Sequence, residues 1–373
     1  MLDINAEYFY PMKTISTLIC IFALVSAANA TTHTVSNNGF PAQFINLTTA
    51  IAAASIGDTL NIAASGLSYG SITLAKSLTL IGEVAWPATG ESASLDRLIL
   101  NPGAEGAKIM GLNIVSAGNF SVVEVNCDNV LVERCRIRNV ANLFGGVSIA
   151  PVNVIGSHQG FTLRHSYIAL AVTNYTGTAP VINLNNMNTV LITNNVIYGS
   201  SAANSVGYLS NSNSPTVTIA NNLFISESGS AHALASTVNN TIVTNNIFWG
   251  PGARVHGSVT GCVFNNNLTW ENGGGAMPPP NNSGIGNLVS TNPQFVNAPN
   301  RTLTNTYNYT PQLAAAVTGG TDGTAIGIMG GSLPWPNNFG YPRLPRVTAI
   351  TLVNGTIPQG GNLNVTSDGT KVD

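Results

Sequence analysis

Charge is scarce in this chain. Of 373 residues only 8 % are charged, 13 Lys and Arg against 15 Asp and Glu, and the formal net charge is −2. A nucleic-acid-binding face needs a basic surplus, so no nucleic-acid partner is expected. Helical repeats need Glu, Lys, Arg and Gln along their solvent faces, so a helical solenoid is a poor fit as well. Cysteine is scarce too. Cys20, Cys127, Cys135 and Cys262 show no metal-ligand spacing, and no resident metal or other cofactor is expected. A Cys127–Cys135 bridge is open to a chain in an oxidising compartment, but the plainer expectation is that Cys127, Cys135 and Cys262 are small buried thiols. No apolar run has the length of a membrane span. The run at residues 15–25 follows Lys13 and precedes Ala28-Asn29-Ala30, which reads as a secretory signal peptide cleaved after Ala30. Met12 is then the natural initiator and residues 1–11 an upstream start. The mature chain is expected as a monomer outside the cytoplasm, secreted or held in a periplasm or at a cell surface.

What the chain does have is repetition. Val132-Glu133-Arg134-Cys135-Arg136-Ile137, Leu163-Arg164-His165-Ser166-Tyr167-Ile168, Ile192-Thr193-Asn194-Asn195-Val196-Ile197, Ile219-Ala220-Asn221-Asn222-Leu223-Phe224 and Val243-Thr244-Asn245-Asn246-Ile247-Phe248 align on one another. Val263-Phe264-Asn265-Asn266-Asn267-Leu268 extends the series, and Ile109-Met110-Gly111-Leu112-Asn113-Ile114 fits more loosely. The units begin 23, 31, 29, 27, 24 and 20 residues apart. Periods of this size mark a solenoid whose units must stack to bury a core. Apolar first and sixth positions suit strands with one buried face. Asn tolerates the left-handed backbone region, so Asn-Asn suits a sharp corner between strands. Stacked corners can pass amide hydrogen bonds from rung to rung, which predicts a ladder of Asn195, Asn222, Asn246 and Asn266, preceded by Cys135 and Ser166. The unequal steps predict loops of varying length at the corners.

Upstream, Phe44, Leu47, Ile51 and Ala54 fall on one helical face, which predicts a short helix near 44–54 closing the first core layer. This helix is followed by Ile56-Gly57-Asp58-Thr59, Ser68-Tyr69-Gly70 and Lys76-Ser77-Leu78-Thr79-Leu80-Ile81-Gly82. That order resembles the N-terminal opening of pectin-lyase-like right-handed parallel β-helix proteins, and the Asn-Asn corners are similar to the same superfamily. The two features together cover roughly residues 40 to 300. The resemblance implies an all-β, single-stranded right-handed parallel β-helix over 31–333 with an N-terminal capping helix. It implies little about activity, because one scaffold hosts many functions. Asn292-Pro293-Gln294-Phe295-Val296 and Ala325-Ile326-Gly327-Ile328 resemble last rungs. Residues 334–373 read as a proline-rich tail with terminal strands, and Asn354-Gly355 suits a hairpin turn.

Chemistry is thinly marked. The polygalacturonase motifs Asn-Thr-Asp, Asp-Asp and Gly-His-Gly are absent, as are the paired aspartates of pectin esterases and the Arg-x-Pro-x-x-Arg of pectate lyases. The densest polar cluster is Asp128, Glu133, Arg134, Arg136 and Arg138 with His158, Arg164 and His165. Arg136 and Arg138 share a strand face, and arginine grips carboxylates bidentately. The cluster reads either as an anionic-sugar site or as a salt-bridged solvent face with Glu133 paired to Arg164. A second candidate is aromatic. Tyr198 and Trp249 share position seven of the unit, with Tyr167 and Trp270 nearby. They form either a stacking face for sugar rings or a face covered by loops. The function expected is binding of a polysaccharide or cell-surface glycan, or service as a surface or matrix component. The alternative is a lyase or hydrolase of an acidic glycan, with Arg136, Arg138 or Arg164 as base or clamp and Asp128 and Glu133 as acids or Ca2+ ligands.

Overall fold

The computed structural model describes residues 30–335 and 346–370, apart from 84, 87–89, 141–149, 171–179, 186, 200–208, 213–216, 228–231, 235–237, 251–258, 272–274 and 353–364. The expected signal peptide lies outside the described residues.

The chain winds as a parallel β-solenoid. Successive coils each lay a strand onto parallel sheets of ten, eight and six strands. The ten-stranded sheet carries the first position of the repeat. Ile109, Val132, Leu163, Ile192, Ile219, Val243 and Phe264 are register partners from coil to coil, and all are fully buried. Ile114, Ile137, Ile168, Ile197, Phe224 and Phe248 form the matching inward row of the eight-stranded sheet. Phe224 and Phe248 stack with ring centroids 5.1 Å apart. Each row is a file of like side chains, so the core is continuous although no single coil could fold alone. Phe264, not Val263, takes position one of the last unit, because Val243 pairs with Phe264 and Ile242 with Val263. Three consecutive asparagines made both alignments readable from sequence. Only the buried Phe264 decides between them.

Each corner separates its two residues into different roles. Position three has a left-handed backbone at Arg134 (φ 54), His165 (φ 50), Asn194 (φ 53), Asn221 (φ 55), Asn245 (φ 57) and Asn266 (φ 52). Position four turns inward. Cys135 N–H donates to Ser166 Oγ at 3.1 Å and Ser166 N–H to Asn195 Oδ1 at 3.0 Å. The Asn195 backbone and side-chain amides both donate to Asn222 Oδ1 at 3.0 Å. Asn222 repeats this onto Asn246, Asn246 onto Asn267, and Asn267 onto Asn287. Asn266, expected in this file, lies outside it; Asn267 takes the place, following the one-residue shift of the last unit. The file gives every buried corner amide a partner where water cannot reach.

The rungs end near Leu288, which bridges to Leu268. The following residues are not further rungs. Phe295–Asn297 pairs antiparallel with Asn308–Pro311, and Ala325–Ile328 is not a strand. Instead, residues 292–335 run back along the outside of the coil as a strap. The outward asparagines of position three hold it. Asn266 Nδ2 donates to Gly319 O (2.7 Å), and Asn245 exchanges hydrogen bonds with Thr321 (3.0 and 3.1 Å). Asn221 Nδ2 faces Gly327 O (3.4 Å), and Asn194 Nδ2 donates to Ile328 O and Gly330 O (3.0 and 2.9 Å). His165 Nε2 completes the series by donating to Leu333 O at 2.7 Å.

A helix at Leu47–Ala53 is capped by Asn46, whose side chain accepts from Thr49 N–H. Its Leu47, Ala50 and Ile51 join the buried cluster of the first coils. Arg346–Leu352 and Val365–Thr370 pair antiparallel; the Asn354-Gly355 turn expected between them lies outside the described residues. Cys127, Cys135 and Cys262 are buried free thiols. Burial pushes the Cys127 and Cys135 thiols up to about 12, so neither ionises near neutrality.

Candidate functional site

The strands that follow the corners build the eight-stranded sheet, and its outer face is where the expected site residues fall. Arg138, Ala169, Tyr198, Ile225, Trp249 and Trp270 form one outward row in register. Arg136, Tyr167, Val196, Leu223, Ile247 and Leu268 form the other. The one-residue shift of the last unit brings Trp270 into the same row as Trp249, and the two indoles stack at 4.8 Å and 13°.

Most of this face is covered. Tyr167, Tyr198 and Trp249 are 2, 8 and 1 % exposed. They pack with Ala298, Tyr309, Ala316, Ile326, Ile328 and Trp335 of the strap. The stripe expected to offer sugar-stacking rings is thus an interface inside the molecule, because the sheet is apolar on both faces and its outer side needs a cover. Burial raises the phenols of Tyr167 and Tyr309 well above their usual range.

The polar cluster divides into three separate arrangements. Glu133 lies buried at a corner, where Arg164 Nη2 donates to it at 2.8 Å and His165 Nδ1 lies 3.4 Å away. Arg134 Nε is 3.6 Å from the same carboxylate. Burial alone would push the Glu133 carboxyl up, but hydrogen bonds from His165 and Arg164 and the Arg164 charge outweigh it and hold the group at about 2. This is a structural clasp joined to the strap through His165. Asp128 lies at another corner, 3.0 Å from His158 Nδ1, with Asn126 Oδ1 on the other ring nitrogen. The structure does not bring Asp128 or Glu133 onto the sheet face that carries Arg136 and Arg138. Among the described residues no three His, Cys, Asp or Glu side chains group as metal ligands.

The third arrangement is the arginine pair. Arg136 and Arg138 are half-buried on the outer face of Arg136–Asn139. The Arg136 guanidinium lies over the Trp86 ring at 4.1 Å, and Trp86 meets Tyr167 edge-on at 4.7 Å. Trp86 is the member that sequence reasoning missed; it sits two coils upstream in a bend, and no local pattern links it to Arg136. Among the described residues neither arginine has a carboxylate partner, and the Nε atom of each is buried without a hydrogen bond. The neighbouring carboxylates are engaged elsewhere, Glu124 by Arg97 and Glu133 by Arg164. No Asp or Glu occurs between Glu133 and Glu227. Burial lowers both guanidinium pKa values, Arg136 to about 10. Both remain cationic at neutral pH, with donor groups of the geometry that pairs with carboxylates.

At the far end of the same face lies a polar cleft of about 460 Å³, lined by Glu227, Trp249, Glu271, Asn300, Arg301 and Thr302. Glu271 accepts from Trp249 Nε1 at 3.0 Å and from Arg301 Nη1 at 2.6 Å. Gly250 (φ +106) permits this seam, since a Cβ there would lie 2.1 Å from Ser226 O and 2.7 Å from Arg301 Cδ.

No known protein-family model matches this chain, and no curated protein sequence matches it.

Proposed function

We propose that this chain is a secreted β-helix protein of the pectin-lyase-like superfamily that binds an acidic polysaccharide through Arg136 and Arg138. One observation carries the reading: two adjacent half-buried guanidinium groups face outward with no carboxylate partner among the described residues. Guanidinium pairs with carboxylate or sulfate through parallel N–H donors, and a repeating anionic polymer presents such groups at intervals along a surface. Trp86 adds a flat apolar neighbour for a sugar ring. We take the helix at Leu47–Ala53 as the cap of the coil's open end, and the strap as the cover of its apolar flank. Calcium has no part in this reading.

The test is retention of the mature protein on immobilised polymers. Uronate and sulfated polymers should retain it and neutral glucans should not, with elution as salt rises. Equal retention on neutral and acidic supports overturns the reading. A rise in ultraviolet absorbance from unsaturated product would move the protein to the cleaving class instead.

A further inference from the structure

We infer that the cleft between the last coils and the strap is a second binding site, for an uncharged, hydroxyl-rich sugar ring. It uses none of the residues of the arginine pair. Its volume of about 460 Å³ falls within the range of small-ligand pockets. Its polar groups are fixed before any ligand arrives. The indole N–H of buried Trp249 and the Arg301 guanidinium both grip one oxygen of Glu271, Oε2, which leaves Oε1 as an acceptor. Asn300 Oδ1 accepts from Thr302 N–H at 2.9 Å and from the Tyr307 hydroxyl at 2.8 Å. That orients the Asn300 amide and leaves its N–H groups as donors. Glu227, from the coil side, adds a second carboxylate.

Fixed acceptors beside fixed donors complement vicinal hydroxyls, each of which both donates and accepts. The single described cation of the cleft, Arg301, is already neutralised by Glu271, so an anionic sugar gains nothing here that it does not find at Arg136 and Arg138. The ring would touch both the coil, through Glu227 and Glu271, and the strap, through Asn300 and Thr302. Its binding therefore tightens the strap against the coil.

The experiment is a titration followed by NMR of the four tryptophan indole N–H signals, with Trp249 identified by its loss in Trp249→Phe. The probes are glucose, galactose, mannose and their β-linked disaccharides, taken through the millimolar range expected for a one- or two-ring ligand, with galacturonate as the charged control. At least one neutral probe should shift the Trp249 signal saturably, because that N–H is bonded to Glu271. The shift should vanish in Glu227→Ala and in Asn300→Ala, both exposed or surface-loop positions whose replacement leaves the coil intact by circular dichroism. It should persist in Arg136→Ala. No saturable shift with any neutral probe overturns the inference. So does a shift that survives both cleft variants, or one given by galacturonate and lost in Arg136→Ala.

Discussion

At the level of single residues, the Asn-Asn doublet carries two separable jobs. The second Asn faces inward and satisfies buried amides; the first adopts a left-handed backbone and faces the strap. Asn222→Ala removes the acceptor for both Asn195 amides and the donor to Ile192 O and Asn246. Leaving such groups unsatisfied in a dry core costs on the order of 3 kcal/mol, which urea unfolding should report as a lowered midpoint. Asn221→Ala keeps the ladder but loses the strap contact and places Ala at φ 55, a change worth about 1–2 kcal/mol; Asn221→Gly should recover the backbone part. Equal losses in Asn222→Ala and Asn221→Ala would contradict the division. Glu133 provides a pH test. Its folded pKa of about 2 lies below its ordinary 4.5. The unfolded state therefore binds the proton first as pH falls, and stability present above pH 4.5 is lost on descending through pH 2. The swing is on the order of 3 kcal/mol. Unfolding free energies at pH 7, 4 and 2.5 should converge between wild type and Glu133→Gln as pH drops; parallel curves would count against the clasp.

At the level of elements, the strap decides what the aromatic residues do. Gly327 (φ +86) sits where a Cβ would lie 2.7 Å from Ile247 Cδ1. Gly327→Val should lift the strap locally while the coil stays folded. Hydrogen exchange should then quicken at strap amides such as Ile326, Gly327 and Trp335, with the ladder amides of Asn195 and Asn222 unchanged. Exchange that quickens in both places would mean that strap and coil fold as one unit. The coil itself was legible in the sequence, because stacked units repeat their apolar positions and their corners need Asn. The strap was not. Residues 319–333 have no periodicity of their own; apart from Thr321 they meet the outward corner side chains through backbone carbonyls, which leave no pattern in the sequence. The inward Asn was legible at Asn195, Asn222 and Asn246 and missed only in the last unit, where Asn267 replaces Asn266; Tyr198 and Trp249 could be placed on a row but not declared open or covered. The arginine pair was half legible. Period two put Arg136 and Arg138 on one face, and the aligned repeats already offered Glu133 to Arg164, whereas the contact with Trp86 required the coil-to-coil register.

At the level of the whole molecule, a chain with few charges places two arginines on one sheet face with no carboxylate partner among the described residues. Partly buried arginine without a partner is unfavourable, so the position makes physical sense when an anion completes it. Each charge-assisted contact to a carboxylate contributes about 1.5–3 kcal/mol, and either arginine alone should therefore hold only part of the affinity. The most direct measurement is calorimetric titration of a galacturonate oligomer into wild type, Arg136→Ala and Arg138→Ala at low and high salt. We expect saturable binding in wild type that weakens with salt, with about a tenfold or greater loss in each variant and unchanged unfolding midpoints. Isotherms that coincide for wild type and both variants would contradict the assignment of this surface to an acidic glycan.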